Sequence, residues 1–546
     1  MNTAIPTFAS RASLLPVELR QLPHLQRRII LCIACVGCAL RLLFWFYTDR
    51  VWEDALITVL HSENFAGGLG LTHHHPGYAP LHGFTSPLSV LIPLAADIFH
   101  IGWGLPFQKL VSALISVPTV LLAGAIALNP AFRLNFWLVS IFCSYLAFEH
   151  HQILWGMAGM ETQVAVFALM FAMYCALKGD AKMIGLSMAF LIYARPDFAI
   201  FAAVVALYIA MARREALYPS LGIALALYTP WIVFTLTYYG SPVPNTILAK
   251  SMGYSLWTRH TALLSEPFWA NVWARVHDYI YLPLGPSFSG HGTGFLKFLD
   301  DGLVSRLCTV ILLVGCAAML RSFQKFYAIP LLACLAYSTY YVFFVPAIAG
   351  WYLVPFSAIN CLLLVLGLGA VFEYLIVPAR IPALSRLACI LYVTPFLMVL
   401  PTTFAAERDI QRYIETPVRR ALGTYLFEHK KPGDTVGCEP LGYIGYYSRM
   451  PVYDYPGLAS PEVSAFMRKN PDKRTMDRML EALQPSWIVL REHELRYMNT
   501  LQHMSFLQTG YTIEKTFRSD PVHTGEVFRA ASNIDLTFVL LKKSRP

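Results

Sequence analysis

The chain has 546 residues, of which 56% are hydrophobic and only 14% charged, with a formal net charge of +9. So apolar a composition, with a positive mean hydropathy, excludes a soluble globular protein and points to a polytopic membrane protein. The lysines and arginines lie mainly in short loops between apolar runs, where they orient a membrane protein, so the charge is not read as a nucleic-acid footprint.

In chain order, a polar tail carrying Arg20, Arg27 and Arg28 precedes the first apolar run at 29–47, read as an uncleaved anchor whose arginines hold the N-terminus in the cytoplasm. Cys32, Cys35 and Cys38 have a metal-like spacing but sit inside that run, where packing accounts for them. All of the 11 cysteines except Cys438 fall in or beside apolar stretches, so no disulfide framework is legible. Next comes the polar stretch 49–88, read as an outer loop, with adjacent acids Glu53 and Asp54, a glycine-rich bend at Gly67, Gly68 and Gly70, and His73, His74, His75 and His82. Carboxylates beside a membrane helix are costly unless hydrated, paired or used. The competing explanation is that the two acids mark a helix N-terminus, where negative charge is favoured.

Further apolar runs lie at 87–101, 107–128, 134–148, 161–177, 183–194, 198–212, 217–237, 303–320, 326–345, 351–377 and 386–403. Several fall short of the roughly 20 residues that cross a bilayer. Lys178 and Lys182, Arg213 and Arg214, Arg321 and Lys325, and Arg380 and Arg386 mark cytoplasmic turns. Segments 159–161, 195–197, 238–250 and 350–352 then share the outer face with Asp54. Three runs between 86 and 160 break that parity, so 87–101 or 134–148 should fail to span, leaving about eleven crossings with the C-terminus outside. The outer loop 239–302, with Trp257, Trp269, Trp273, Tyr279 and Tyr281, should lie along the membrane interface. After residue 405 charges become frequent and short β-type runs appear at 487–490 and 538–541. Residues 1–405 therefore read as the membrane domain and 406–546 as a soluble α/β domain.

Apart from Asp97, Glu149 and Glu373, the apolar runs carry few ionisable groups, whereas the outer face collects Glu53, Asp54, His82, Glu161, Arg195, Asp197 and Lys250. A proton-coupled transporter or flippase, the alternative reading, needs polar groups at the midplane or an internal repeat. A non-catalytic membrane scaffold with a glycan-binding outer domain is the third. There is no phosphate-binding loop for a nucleotide-activated donor. A lipid-phosphate donor suits the asymmetry: its tail lies among apolar helices while Arg195 and Lys250 meet its phosphate. An ordinary headgroup cation, or an ion pair of Arg195 with Asp197, explains these residues equally simply. Asp54 is the candidate general base. A magnesium, manganese or calcium ion on Glu53, Asp54 or Glu161 is a further expectation, since adjacent oxygens suit hard cations. The histidines 73–75 could also hold metal, although consecutive residues seldom converge on one ion. Tyr443, Tyr446, Tyr447, Tyr453 and Tyr455 either stack on sugar or fill the outer domain's core.

The order of motifs along the chain carries a resemblance. Glu53-Asp54-Ala55-Leu56-Ile57-Thr58, Glu63-Asn64-Phe65-Ala66 with Gly68, Gly70 and Leu71, and Gly83-Phe84-Thr85-Ser86-Pro87-Leu88 open it. Gly159-Met160-Glu161-Thr162, Ala194-Arg195-Pro196-Asp197, Tyr238-Tyr239-Gly240, Val243-Pro244-Asn245-Thr246, Ala249-Lys250, Gly350-Trp351-Tyr352 and Asp454-Tyr455 with Gly457-Leu458 continue it. Together they resemble bacterial polyprenyl-phosphate-sugar glycosyltransferases of the GT-C fold, nearest the mycobacterial terminal arabinofuranosyltransferases. The resemblance implies inverting transfer, possible with arabinofuranose or another pentose or hexose, from a polyprenyl-phosphate donor to a glycan, lipid or protein acceptor on the periplasmic face of the bacterial inner membrane. It implies catalysis by Asp54 and Glu53, with His82, Glu161, Arg195, Lys250, Trp351 and Tyr352 binding substrate. Two departures stand out: the family has two aspartates where this chain has Glu53-Asp54, and an Arg-Pro-Glu-Gly motif where it has Arg195-Pro196-Asp197-Phe198.

Overall fold

The computed structural model describes residues 15–73, 80–254, 269–270, 272–273, 303–345, 349–375, 380–519 and 536–544. Among the described residues, six helices are long and apolar enough to cross a membrane: His24–Thr48, Gly104–Ala127, Arg214–Tyr239, Lys325–Phe343, Gly350–Tyr374 and Ile381–His429. Shorter apolar helices complete the bundle. Phe46, Leu225, Val233, Leu313, Leu335 and Leu391 stand exposed on its outside, where a bilayer rather than water is the compatible solvent.

Helix α1 is His24–Thr48, and Asp49 ends it in the left-handed region at φ 48°. The stretch read as a polar loop then folds as helix α2, Glu53–Ala66, with nine residues from Ala55 to Asn64 buried. It is sandwiched between the bundle and the C-terminal region, so both faces are covered and the polar-apolar periodicity of a surface helix is absent. Helix α3, Pro87–Asp97, has 11 residues, about 16 Å at 1.5 Å per residue, half a bilayer core. It starts at Ser86, bonded to Glu161, and ends at Asp97, bonded to Ser62 of α2. Both ends are thus tied to segments beside Asp54, and at 11 residues the helix of the 87–101 run is too short to cross a bilayer by itself. Helix α4 is Gly104–Ala127.

The 134–148 run forms helix α5, Phe136–Phe148, which breaks at Glu149 and resumes as helix α6, His150–Gly156. The pair begins where Asn135 donates to Ser385 and ends beside the turn 157–161, whose Met160 carbonyl accepts from Gln108. Helices α7 Thr162–Lys178, α8 Ala181–Ala194, α9 Ala199–Ala212 and α10 Arg214–Tyr239 follow. Arg213 donates to the carbonyls of Leu177 and Lys178, so the turns ending α7 and α9 share one face, opposite the face of Glu161 and Arg195. Helices α11 Asn245–Tyr254, α12 Leu303–Arg321, α13 Ala328–Phe343 and α14 Gly350–Leu375 precede the last long helix.

That helix, α15, runs unbroken for 49 residues, Ile381–His429. Its section Gln411–Arg420 is wound as a π-helix around Pro417, which cannot donate to the helical ladder. The residue at which a soluble domain was expected to start lies inside this continuous rod. Beyond it, β1 Val436–Cys438, α16 Leu441–Ser448, β2 Val452–Asp454, β3 Trp487–Arg491, β4 Tyr511–Arg518 and β5 Thr537–Lys543 form a sheet of order β2-β1-β3-β5-β4. Pairing is parallel among β2, β1 and β3 and antiparallel from β3 through β5 to β4. Alternation puts Trp487, Val489, Phe538 and Leu540 in one core with Ile57 of α2, and Ile488, Leu490, Val539 and Leu541 in another. The sheet is therefore fastened to the first polar segment by apolar packing.

Candidate functional site

Glu53 and Asp54 occupy the first turn of α2, where the helix dipole favours acids. Neighbouring helical positions point about 100° apart, so the two side chains diverge. Asp54 shares a helical stripe with Ile57 and Thr58, and all three line a cavity of about 60 Å³. The other walls are Gly83 to Ser86 and Ser89 from the start of α3, Met160 and Glu161, Thr246 and Lys250 of α11, Trp351 and Tyr352 of α14, and Leu458 of the C-terminal region.

Each wall is placed by local chemistry. Gly159 turns at φ +93°, and a Cβ there would lie 3.0 Å from the Cβ of Ala55, so the turn can seat Met160 and Glu161 against α2 only with glycine. Glu161 accepts from the hydroxyl of Ser86 at 2.8 Å. Asn245 donates to the carbonyls of Gly457 and Leu458 at 2.7 and 3.1 Å, which docks α11 under the C-terminal loop. One residue on, Thr246 hydrogen-bonds Thr85 at 2.8 Å. Lys250, four positions later on the same helical stripe, donates to the Tyr352 hydroxyl at 3.0 Å. The loop itself is held by Asp454, whose carboxylate accepts from the backbone N–H groups of Leu458 and Ala459.

Arg195 ends α8 in an extended conformation, as the residue before a proline must. Its guanidinium is bidentate with Asp197, at 3.0 Å for both contacts, and lies 4.7 Å from the centre of the Tyr352 ring. The short Asp197 side chain, further held by Tyr341 at 3.2 Å, makes this contact two residues along the chain. The remaining nitrogen, Nη1, is buried and has no hydrogen-bond partner among the described residues. A buried guanidinium donor left over after its ion pair is uncommon in a purely structural pair.

Electrostatics follow the same arrangement. Surrounding protein raises Asp54 above the ordinary carboxylate value, and Lys250 offsets part of that rise. Burial works against the charge on Lys250, but Tyr352 and Asp54 outweigh it and hold its pKa at about 12. Burial also raises Glu161, opposed chiefly by Arg195. The cavity thus sets a carboxylate made more basic than usual beside a fixed ammonium.

Glu53, His82 and Arg195, read as site residues from the sequence, stand outside the cavity wall, Arg195 against the ring of the wall residue Tyr352. Glu53 accepts from Arg419 and from the backbone N–H of Gly442, so it ties α2 to the π-helical section of α15 and to the start of α16. A Cβ on Gly442 would come within 2.1 Å of the Glu53 carbonyl oxygen, so only glycine brings that N–H so close. Burial carries Glu53 up to about 7 despite Arg419. The His82 ring stacks on Tyr239 at 4.8 Å, and burial lowers it to about 3, so it is a neutral packing group. His73 is buried near His61; His74, His75, Trp257, Tyr279 and Tyr281 lie outside the described residues. Of the tyrosines, Tyr443 donates to the Val51 carbonyl and Tyr446 to Glu63, which makes them clamps on α2. Sequence reasoning gave no role to the hydroxyls of Thr58, Thr85, Ser86, Ser89 and Thr246 or to Leu458. The four-residue interval from Thr246 to Lys250 was the available signal for the first wall.

A domain family described only as a domain of unknown function, DUF8728, matches residues 408–534. No curated protein sequence matches the chain. Among solved structures, the Archaeoglobus fulgidus oligosaccharyltransferase in the apo form is similar with a TM-score of 0.55 and 12% identity, over 88% of this chain and 71% of that one. The same figures hold for archaeal oligosaccharyltransferase AglB from A. fulgidus in complex with an inhibitory peptide and a dolichol-phosphate. ArnT from Cupriavidus metallidurans in the apo state is similar at 0.51 and 11%, over 93% and 97% of the two chains. The likeness is one of fold. This chain has the membrane architecture of these proteins, the GT-C fold, which agrees with the resemblance drawn from the motifs.

Proposed function

We propose that the protein is a membrane glycosyltransferase that moves a sugar from a polyprenyl-phosphate donor to an acceptor hydroxyl, with Asp54 as general base. One observation carries this: Asp54, Glu161, Lys250, Trp351 and Tyr352, spread over three hundred positions, line one cavity, beside an Arg195 with a spare buried donor. The dolichol-phosphate in the AglB complex supports a lipid-linked donor.

In this reading the acceptor oxygen attacks the anomeric carbon while its proton passes to Asp54. The bond from that carbon to the phosphate oxygen breaks, and attack from the opposite side inverts the centre. Polyprenyl phosphate leaves with an extra negative charge, which Lys250 and Arg195 offset. The hydroxyls of Thr58, Thr85, Ser89 and Thr246 and the Trp351 ring suit a sugar, and arabinofuranose or another pentose or hexose is the proposed unit. A glycan, lipid or protein is the acceptor. The chain is proposed to cross the bacterial inner membrane about eleven times, with the cavity and the C-terminal region on the periplasmic side.

Of the two acids once paired as metal ligands, Glu53 is spent on Arg419 and Gly442. A magnesium, manganese or calcium ion in the cavity would instead take oxygens from Asp54 and Glu161. The test is transfer of radiolabelled sugar by purified protein in lipid nanodiscs: Asp54→Asn should slow product formation by about 10²–10⁴ while donor binding persists. Unchanged transfer removes Asp54 from the mechanism.

A further inference from the structure

A buried carboxylate in the middle of a membrane bundle calls for a cationic partner, and Glu149 has a particular one. It sits at the break between α5 and α6, with a side chain 1% exposed. One oxygen, Oε2, accepts the N–H of Gln152 at 2.9 Å and caps α6. The other, Oε1, is hydrogen-bonded to His151 Nδ1 at 3.0 Å and lies 3.1 Å from His150 Nδ1, so both imidazoles turn the same nitrogen toward one oxygen. The three donor atoms lie within 4.8 Å of one another, and among the described residues this is the one such group of three that could hold a metal ion.

The basic residue nearest in kind, Arg41, does not supply the missing charge by contact. Its guanidinium donates to Gln163 and to the carbonyls of Gly37, Ala147, Leu146 and Gln152, which uses all five N–H groups. The side-chain oxygen of Gln152 is also buried without a hydrogen-bond partner among the described residues. An anionic oxygen met by two imidazole nitrogens, with the nearby arginine fully occupied, is the donor set of a divalent transition ion. Two nitrogens and one carboxylate oxygen suit zinc with an open fourth position. The side chain of His151 is 33% exposed, which leaves a route for the ion and for water.

We infer that Glu149, His150 and His151 form a zinc-type metal site at the break of the α5–α6 helix, apart from the cavity of Asp54. Its role is to fix the break. On the next turn Trp155 packs 4.2 Å from Trp52 and 5.2 Å from Trp351 between ring centres, so the orientation of α6 sets one wall of the cavity from below.

The probes are zinc and cobalt ions added to full-length, chelator-treated protein in detergent, with metal content read by mass spectrometry and cobalt absorption read for four-coordinate geometry. The wild type should retain one ion per chain and show the intense visible bands of a tetrahedral site. His151→Ala and Glu149→Gln should each weaken zinc by more than the roughly 10–100-fold that losing an outer-shell partner costs. His74→Ala with His75→Ala serves as the control for the other histidine cluster and should bind as the wild type does. Wild-type protein that retains no ion overturns the inference. So does zinc binding unchanged in Glu149→Gln, which removes only the charge and answers the question even if His151→Ala fails to fold. An imidazolium shared with Glu149 would appear as no metal and histidine proton signals that titrate, and it too overturns the inference.

Discussion

Two regions meet at α2 and are built on opposite terms. On the side facing the C-terminal region, charges of opposite sign are paired. Arg50 meets Glu407 and Glu415, Glu53 meets Arg419 and Gly442, and Glu63 meets Tyr446 and Arg449. On the cavity side, Asp54 makes no direct ion pair within 4 Å among the described residues, and Arg195 keeps a buried nitrogen to spare. Paired charges hold parts together; charge left over in a cavity is what a substrate can use. The adjacent residues Glu53 and Asp54 therefore separate into a fastener and a cavity-lining acid, the one proposed as general base.

The sharpest way to break this contrast is Asp54→Asn. Losing a general base should cost about 10²–10⁴ in rate, read as product formed per enzyme, with the thermal midpoint unchanged. Equal loss of folding would place Asp54 among the fasteners. Next in size, Lys250→Gln should lower turnover by roughly 10²–10³, the usual cost of removing one donor to developing charge. An isothermal titration of polyprenyl phosphate should weaken in parallel.

On the fastening side the effects should fall on stability. Asn245→Ala frees the carbonyls of Gly457 and Leu458 and should cost about 1–3 kcal/mol, seen in thermal unfolding. It should also slow transfer, because Leu458 closes the cavity. Glu53→Gln should act through pH. Burial raises folded Glu53 from 4.5 to about 7, so its protonation favours the folded state at low pH and that contribution is lost as pH rises through about 7. Wild-type melting temperature should fall across this window for this reason, and the glutamine variant should flatten the slope while keeping transfer activity. Two variants with equal slopes would show that Glu53 is not the titrating fastener.

Much of this was legible in the residues. Apolar runs mark the bundle, basic turns pair its ends, and the alternation in 487–490 gives a strand with two buried faces. The cavity residues were nameable because charged and aromatic groups are scarce in so apolar a chain, so each one beside a membrane segment demands an explanation. Other features left no periodic trace. Helix α2 is buried on both sides and shows no amphipathic stripe, so it looked like a loop. The 87–101 run looked as apolar as its neighbours, and only the structure shows its ends bonded to Glu161 and Ser62.

Sequence alone determined that the chain lives in a membrane, that a C-terminal α/β region follows, and that Asp54, Glu161, Arg195 and Lys250 are the candidates to examine for a site. Hydrophobicity and local chemistry carry that information, and both are properties of single residues and short windows. Tertiary structure alone decided that Glu53 and Asp54 face different partners, that His82 is a neutral packing ring, and that Glu149 meets two histidines inside the bundle. Those outcomes depend on which segments approach across hundreds of positions, where burial and nearby charge, rather than residue type, set what a side chain can do.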